Sequence, residues 1–130
     1  MKTKQGLLAL ALAVLLAAAS LAVYSRLAPR TQEGSKTITI NVDHLNSDDT
    51  TYTVSTDAEY LRAALEQEGL IAGVEDEYGL WLTTVDGETA DEDAQQWWGY
   101  DVNGEMALYG VDGQVVMDGD VYDFTLNVGW

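Results

Sequence analysis

The sequence predicts an α+β chain: an N-terminal transmembrane helix, then a β-grasp-like domain with one helix packed on a mixed sheet of about five to six strands. Three observations lead there. Segments alternating with period two lie on both sides of a single stretch with helical periodicity. An Asn-Gly pair at positions 103 and 104 joins two strand-like runs. Charge also separates sharply: residues 1–30 hold Lys2, Lys4, Arg26 and Arg30 without an acid, net +4, whereas all 22 acids follow, against only Lys36 and Arg62, net −20.

Composition bounds the function. With 130 residues, 47% hydrophobic and 22% charged, the chain supports one core and is too apolar to stay disordered throughout. The net charge of −16 excludes nucleic acid as a partner, because phosphate binding needs clustered Lys and Arg. The absence of cysteine excludes a disulfide framework, a thiolate zinc site, a cysteine nucleophile and a lipid-modified cysteine.

Gly6 to Tyr24 is a run of Leu, Ala and Val without a charge, broken only by Ser20. As a helix it covers roughly 28 Å, close to the hydrocarbon core of a bilayer. It reads as an uncleaved anchor, longer than the apolar region of a secretory signal; the competing reading is a signal cleaved after Ala17-Ala18-Ala19, giving a secreted domain. Lys2 and Lys4 balance Arg26 and Arg30 across the run, and the free amino terminus tips the orientation toward N-terminus inside, acidic domain extracytoplasmic. Residues 1–30 are thus the anchor and its flanks, 31–35 a short tether and 36–130 the folded domain.

The elements of that domain follow in order. Lys36 to Asp43 alternates, with Ile38, Ile40 and Val42 on one face, and after a polar turn through Asn46-Ser47-Asp48-Asp49 the run Thr51 to Ser55 alternates again, predicting a hairpin. Thr56-Asp57-Ala58-Glu59 matches a capping box, so a helix is expected from Thr56, with Ala58, Leu61, Ala64 and Leu65 on its apolar face and Gly69 as its left-handed stop. Tyr78 to Val85 is apolar on both faces and predicts a central strand under the helix, ended by Asp86-Gly87. Glu88 to Gln96 reads as an acidic surface loop. Trp97 to Val102 and Glu105 to Gly110 flank the Asn-Gly turn, which sets Val102 opposite Glu105, Tyr100 opposite Ala107, Trp98 opposite Tyr109 and Trp97 opposite Gly110. Gly99 and Gly110 leave open space beside Trp97 and Leu108. Val121 to Val128 closes the domain with Tyr122, Phe124 and Leu126 inward.

No catalytic set assembles, so the sequence predicts a protein that is not an enzyme. The single histidine, His44, follows the first strand beside a polar turn and is expected at the surface. Twenty-two carboxylates make close pairs uninformative. Asp91-Glu92-Asp93 and Asp118-Gly119-Asp120 offer hard oxygen ligands of the kind calcium takes, without EF-hand spacing, and are read as solvated loops rather than a metal site. The aromatics carry the functional signal. Eleven of twelve, all but Tyr24, lie in the acidic domain. Trp97, Trp98, Tyr100, Tyr109 and Trp81 are the candidate ligand-binding residues: Trp98, Tyr100 and Tyr109 also suit a core cap, and Trp97 or Trp81 an open face that stacks on a flat, partly apolar ligand.

The motifs Thr56-Asp57-Ala58-Glu59-Tyr60-Leu61 with Gly69-Leu70, Tyr78-Gly79-Leu80 leading to Thr83-Thr84-Val85-Asp86-Gly87, Trp98 followed by Asn103-Gly104, and Gly119-Asp120 resemble the transcobalamin-like C-terminal domain family, over about Lys36 to Trp130. Asp101 departs from the pattern, standing where that family more usually has an aromatic residue. The resemblance implies a β-grasp-like, ligand-binding fold and, by analogy, cobalamin or a related compound as ligand; no other cofactor is implied. In the vertebrate carriers a large helical domain closes over the ligand, and nothing in this sequence corresponds to it, so a single face with weak affinity is expected. Two functions are therefore carried forward. One is a membrane-anchored, extracytoplasmic binding module for a flat small molecule. The other is an acidic cell-surface module that binds an envelope protein without a small ligand.

Overall fold

In the computed structural model, which describes residues 33–130, the first alternating run forms β1 (Lys36–Asp43) with Ile38, Ile40 and Val42 buried. It pairs antiparallel with β2 (Thr50–Thr56) and, on its other side, parallel with the last strand, β8 (Val121–Val128), at registers such as Ile40 to Tyr122. β6 (Gln96–Val102) pairs antiparallel with β8, and the short β7 (Glu105–Met106) completes a mixed five-stranded sheet ordered β2-β1-β8-β6-β7. Tyr122, Phe124 and Leu126 from β8 join Ile38, Ile40 and Val42 in one core under the helix α1 (Leu61–Gln67), so the expected single helix on a mixed sheet is present.

The capping box does not form. Thr56 stays in β2, opposite Lys36, and its hydroxyl binds Gln67 rather than the amide of Glu59. Tyr60 bridges to Val115, so α1 begins only at Leu61. Its first amides, Leu61 and Arg62, donate instead to the carbonyls of Gln114 and Val111 at 2.8 and 3.0 Å. A distant loop thus satisfies the orphan N–H groups that a local cap usually takes. At the other end Gly69, at φ 65°, stops the helix as expected.

The expected central strand is also displaced. β4 (Gly79–Val85) lies outside the main sheet, in the middle of a second, three-stranded antiparallel sheet between β3 (Ile71–Asp76) and β5 (Glu88–Thr89). Short turns at Asp76–Gly79 and Asp86-Gly87 favour pairing with sequence neighbours, and the centre of the main sheet is already taken by β1 and β8. β3 escaped sequence reading because most of it is exposed, it ends on Glu75 and Asp76, and it carries a bulge at Gly73, where a Cβ would collide with the carbonyl oxygen of Trp81.

All these strands, the helix and the core lie within residues 36–128, and the described residues form one compact unit. Among the described residues no helix is long and apolar enough to cross a membrane. The run Gly6–Tyr24, expected to do so, lies outside them, as does the start of the tether expected at 31–35.

Candidate functional site

The Asn-Gly turn forms as expected, with Asn103 at φ 52° and Gly104 at φ 83°, and sets Val102 opposite Glu105. The longer hairpin does not. After Met106 the chain leaves β6, keeping one bond from Ala107 N to Tyr100 O at 3.3 Å, so Trp98 does not face Tyr109, nor Trp97 Gly110. Two partners draw that segment away: the Tyr100 hydroxyl donates to the Tyr109 carbonyl at 2.6 Å, and the following loop is held at the start of α1. On its other edge β6 pairs along its whole length with β8, which puts Trp98 opposite Leu126 and Trp97 opposite Asn127.

This departure of the chain opens a groove of about 470 Å³ along β6, and all five predicted aromatic residues line it. They do so in different ways. Trp98 is only 6% exposed, belongs to the core and donates its indole N–H to Glu88 O at 3.0 Å. Tyr100 stacks on Phe124 with centroids 5.0 Å apart, and burial pushes its phenol pKa up. Trp81 and Tyr109, 52% and 60% exposed, present their rings to the groove mouth. Trp97 lies on the outer face of β6, its N–H fixed to Gly129 O at 2.9 Å. The expected space at Gly99 is filled by that indole, since a Cβ there would lie 2.8 Å from Trp97 Cζ3; around Gly110 the space is open.

Leu80 and Leu82 of β4 form an apolar wall, and Asp123, Thr125 and Asn127 of β8 with Asp101 form a polar one. Sequence reasoning missed the polar wall. Alternation placed these β8 residues opposite Tyr122, Phe124 and Leu126, but only the pairing of β8 with β6 brings them beside Trp97.

His44 overturns its expected surface position: its side chain is 3% exposed. Nδ1 lies 3.0 Å from Glu88 Oε1 and Nε2 2.9 Å from Asp86 Oδ2, so both ring nitrogens face acceptors, as an imidazolium requires. Burial by itself lowers the histidine pKa, but the hydrogen bonds and charges of Asp86 and Glu88 outweigh it and hold the pKa above its ordinary value. Burial likewise opposes the ionised Asp86 and Glu88. Hydrogen bonds from Thr50, Tyr52 and His44 reverse this for Asp86, and those from the Leu45 and Asn46 amides and from His44 do so for Glu88, so both carboxyls sit below their usual range. The cluster binds the β1–β2 loop to the β4–β5 turn directly behind Trp98. Glu88, expected in a solvated loop, is part of this clamp. Among the described residues no three His, Cys, Asp or Glu side chains are disposed to hold a metal ion.

Residues 55–127 match the model of a domain of unknown function, DUF4430. The chain belongs to the DUF4430 family. A crystal structure of a protein from Ruminococcus gnavus ATCC 29149, with a provisional metal-binding assignment, is 43% identical to this DUF4430 chain, with a TM-score of 0.70 over 73% of this chain and 99% of that one. Haptocorrin in complex with Cbi matches at a TM-score of 0.64 and 16% identity, over 82% of this chain but only 28% of haptocorrin. That likeness is one of fold, and it agrees with the transcobalamin-like character expected from the helix and hairpin motifs. Among curated proteins none matches this sequence.

Proposed function

We propose that this DUF4430 domain is a non-catalytic binding module, tethered to the outer side of a membrane through residues 6–24, whose groove takes a flat, partly apolar small molecule of the corrinoid type. One observation carries the reading: Trp81, Trp97 and Tyr109, from three separate segments, converge on one groove of about 470 Å³, within the size range of small-molecule sites. Aromatic faces backed by Leu80 and Leu82 suit a planar ligand, and the polar wall of Asp123, Thr125 and Asn127 suits amide groups at its rim. The shared fold with haptocorrin supports the corrinoid class. The chain spans little more than a quarter of haptocorrin, so the groove offers one face, and affinity is expected to be weak.

Titrating residues 31–130 with cobalamin and cobinamide, followed by tryptophan fluorescence and calorimetry, tests this. Binding should weaken at least tenfold in Trp97→Ala, a change of about 1.4 kcal/mol. No heat, and no quench beyond inner-filter loss up to millimolar ligand, rejects the ligand class. Protease accessibility of the acidic domain on intact cells tests the tether and its orientation.

A further inference from the structure

The backbone of β6 has a definite parity. Bonds from Gly129 N to Gln95 O at 2.8 Å and from Asn103 N to Val121 O at 2.7 Å show that its odd-numbered residues hold the ladder to β8. Successive residues of a strand direct their N–H and C=O to opposite edges. The even-numbered residues therefore face away from β8. At one end of that edge β7 pairs beside Asp101 and Val102, and Ala107 N reaches Tyr100 O; at the other, Gln96 N donates to Asp91 O at 3.0 Å. Between them the N–H and C=O of Trp98 face an edge on which, among the described residues, no strand is paired. From Gln96 to Tyr100 this gap is about 13 Å long at strand rise.

A nearly buried backbone N–H and C=O without partners is costly, and native chains pair almost all such groups. Trp98 lines the groove, beside the exposed rings and the acidic side chains of Asp101 and Asp123.

We propose that the gap at Trp98 is a strand-addition site for an extended basic peptide, which gives a carbonyl to Trp98 N–H and an N–H to Trp98 C=O. Main-chain pairing with side chains falling alternately on the two sides is how an open sheet edge recognises a peptide. Charge selects the occupant. A second copy of the chain would bring another −20 to this edge, whereas Lys or Arg flanking an apolar residue meets Asp101 and Asp123. The inference uses the strand edge rather than the ring faces, so it stands or falls independently of the corrinoid reading.

The test uses residues 31–130; the Ruminococcus structure, matched over 99% of its chain, shows that such a domain folds by itself. The probe is an acetylated and amidated Lys-Val-Thr-Val-Lys peptide. At low salt and saturating peptide, exchange of the Trp98 amide should slow about tenfold or more, and methylation of one peptide nitrogen in a scan should weaken binding about tenfold. Asp101→Asn should weaken it several-fold and flatten its salt dependence. The proposal is overturned if the peptide does not bind at millimolar concentration, if every N-methylated peptide binds equally, or if a Glu-for-Lys peptide binds as well. It is also overturned if Trp98 protection rises with protein concentration alone, which assigns the edge to a second copy.

Discussion

The imidazole of His44 stands edge-on to the indole of Trp98, ring centroids 6.1 Å apart and planes at 90°. The contact links the Asp86–His44–Glu88 clamp to the floor of the aromatic groove. Trp98 is fixed twice by this cluster, through the ring contact and through its N–H to Glu88 O.

The clamp gives stability a pH window. His44 has a folded pKa above its ordinary 6.5, so its contribution is complete below about pH 6.5 and is lost as pH rises through the folded value. Asp86 and Glu88 have folded values below their ordinary 3.8 and 4.5, so theirs is present above those values and is lost as pH falls. The cluster's contribution should peak between about pH 5 and 6.5. His44→Gln should cost about 3 kcal/mol there, as expected for removing one member of a buried charge cluster. It should also remove the loss above pH 6.5; urea titrations at several pH values read both effects, and an unchanged pH profile contradicts the imidazolium.

Gly99 admits the Trp97 ring, and Gly99→Ala should drive it out, because the new Cβ would meet Cζ3 at 2.8 Å. Overpacking at this half-open site should cost about 1 kcal/mol. Near-ultraviolet circular dichroism should change more than the melting temperature does, and a ligand that stacks on Trp97 should bind more weakly.

Asp112 ties three elements together. Its carboxylate accepts from Leu80 N at 2.8 Å and from Arg62 Nη1 at 2.7 Å, and these two donors hold its pKa below the usual range. Asp112→Ala should cost about 1–2 kcal/mol and speed exchange of the Leu80 amide; Asp112→Asn, which keeps an acceptor, should do less of both. Because Leu80 and Trp81 form the β4 side of the groove, ligand affinity should follow the same order.

Asn103 has two roles in the turn. It adopts φ 52°, and its side chain accepts from Val121 N at 2.8 Å and donates to Asp120 at 2.9 Å. Asn103→Ala loses both and should cost about 2 kcal/mol, whereas Asn103→Gly keeps the backbone preference and should cost about half as much. Thermal unfolding of the two variants separates backbone from side-chain contributions.

Local chemistry in the sequence determined β1, β8 and the Asn-Gly turn: period-two alternation names the buried face of a strand, and two adjacent positive φ angles need Asn and Gly. It also determined the family and gathered the five aromatic candidates, because Trp and Tyr stand out wherever they fall. Tertiary structure decided the rest, and each time a distant partner outcompeted a local one. Thr56 had the residues of a capping box but joined the β-ladder opposite Lys36, while Val111 and Gln114 capped the helix. Tyr78 to Val85 had the apolar content of a central strand, yet β1 and β8 had taken the centre and β4 paired with its sequence neighbours. His44 looked like a surface residue because Asp86 and Glu88 lie more than forty positions away. The groove exists because the chain after Met106 leaves the edge of β6 for the Tyr100 hydroxyl and the start of α1, a choice of partners between distant segments that no local pattern records.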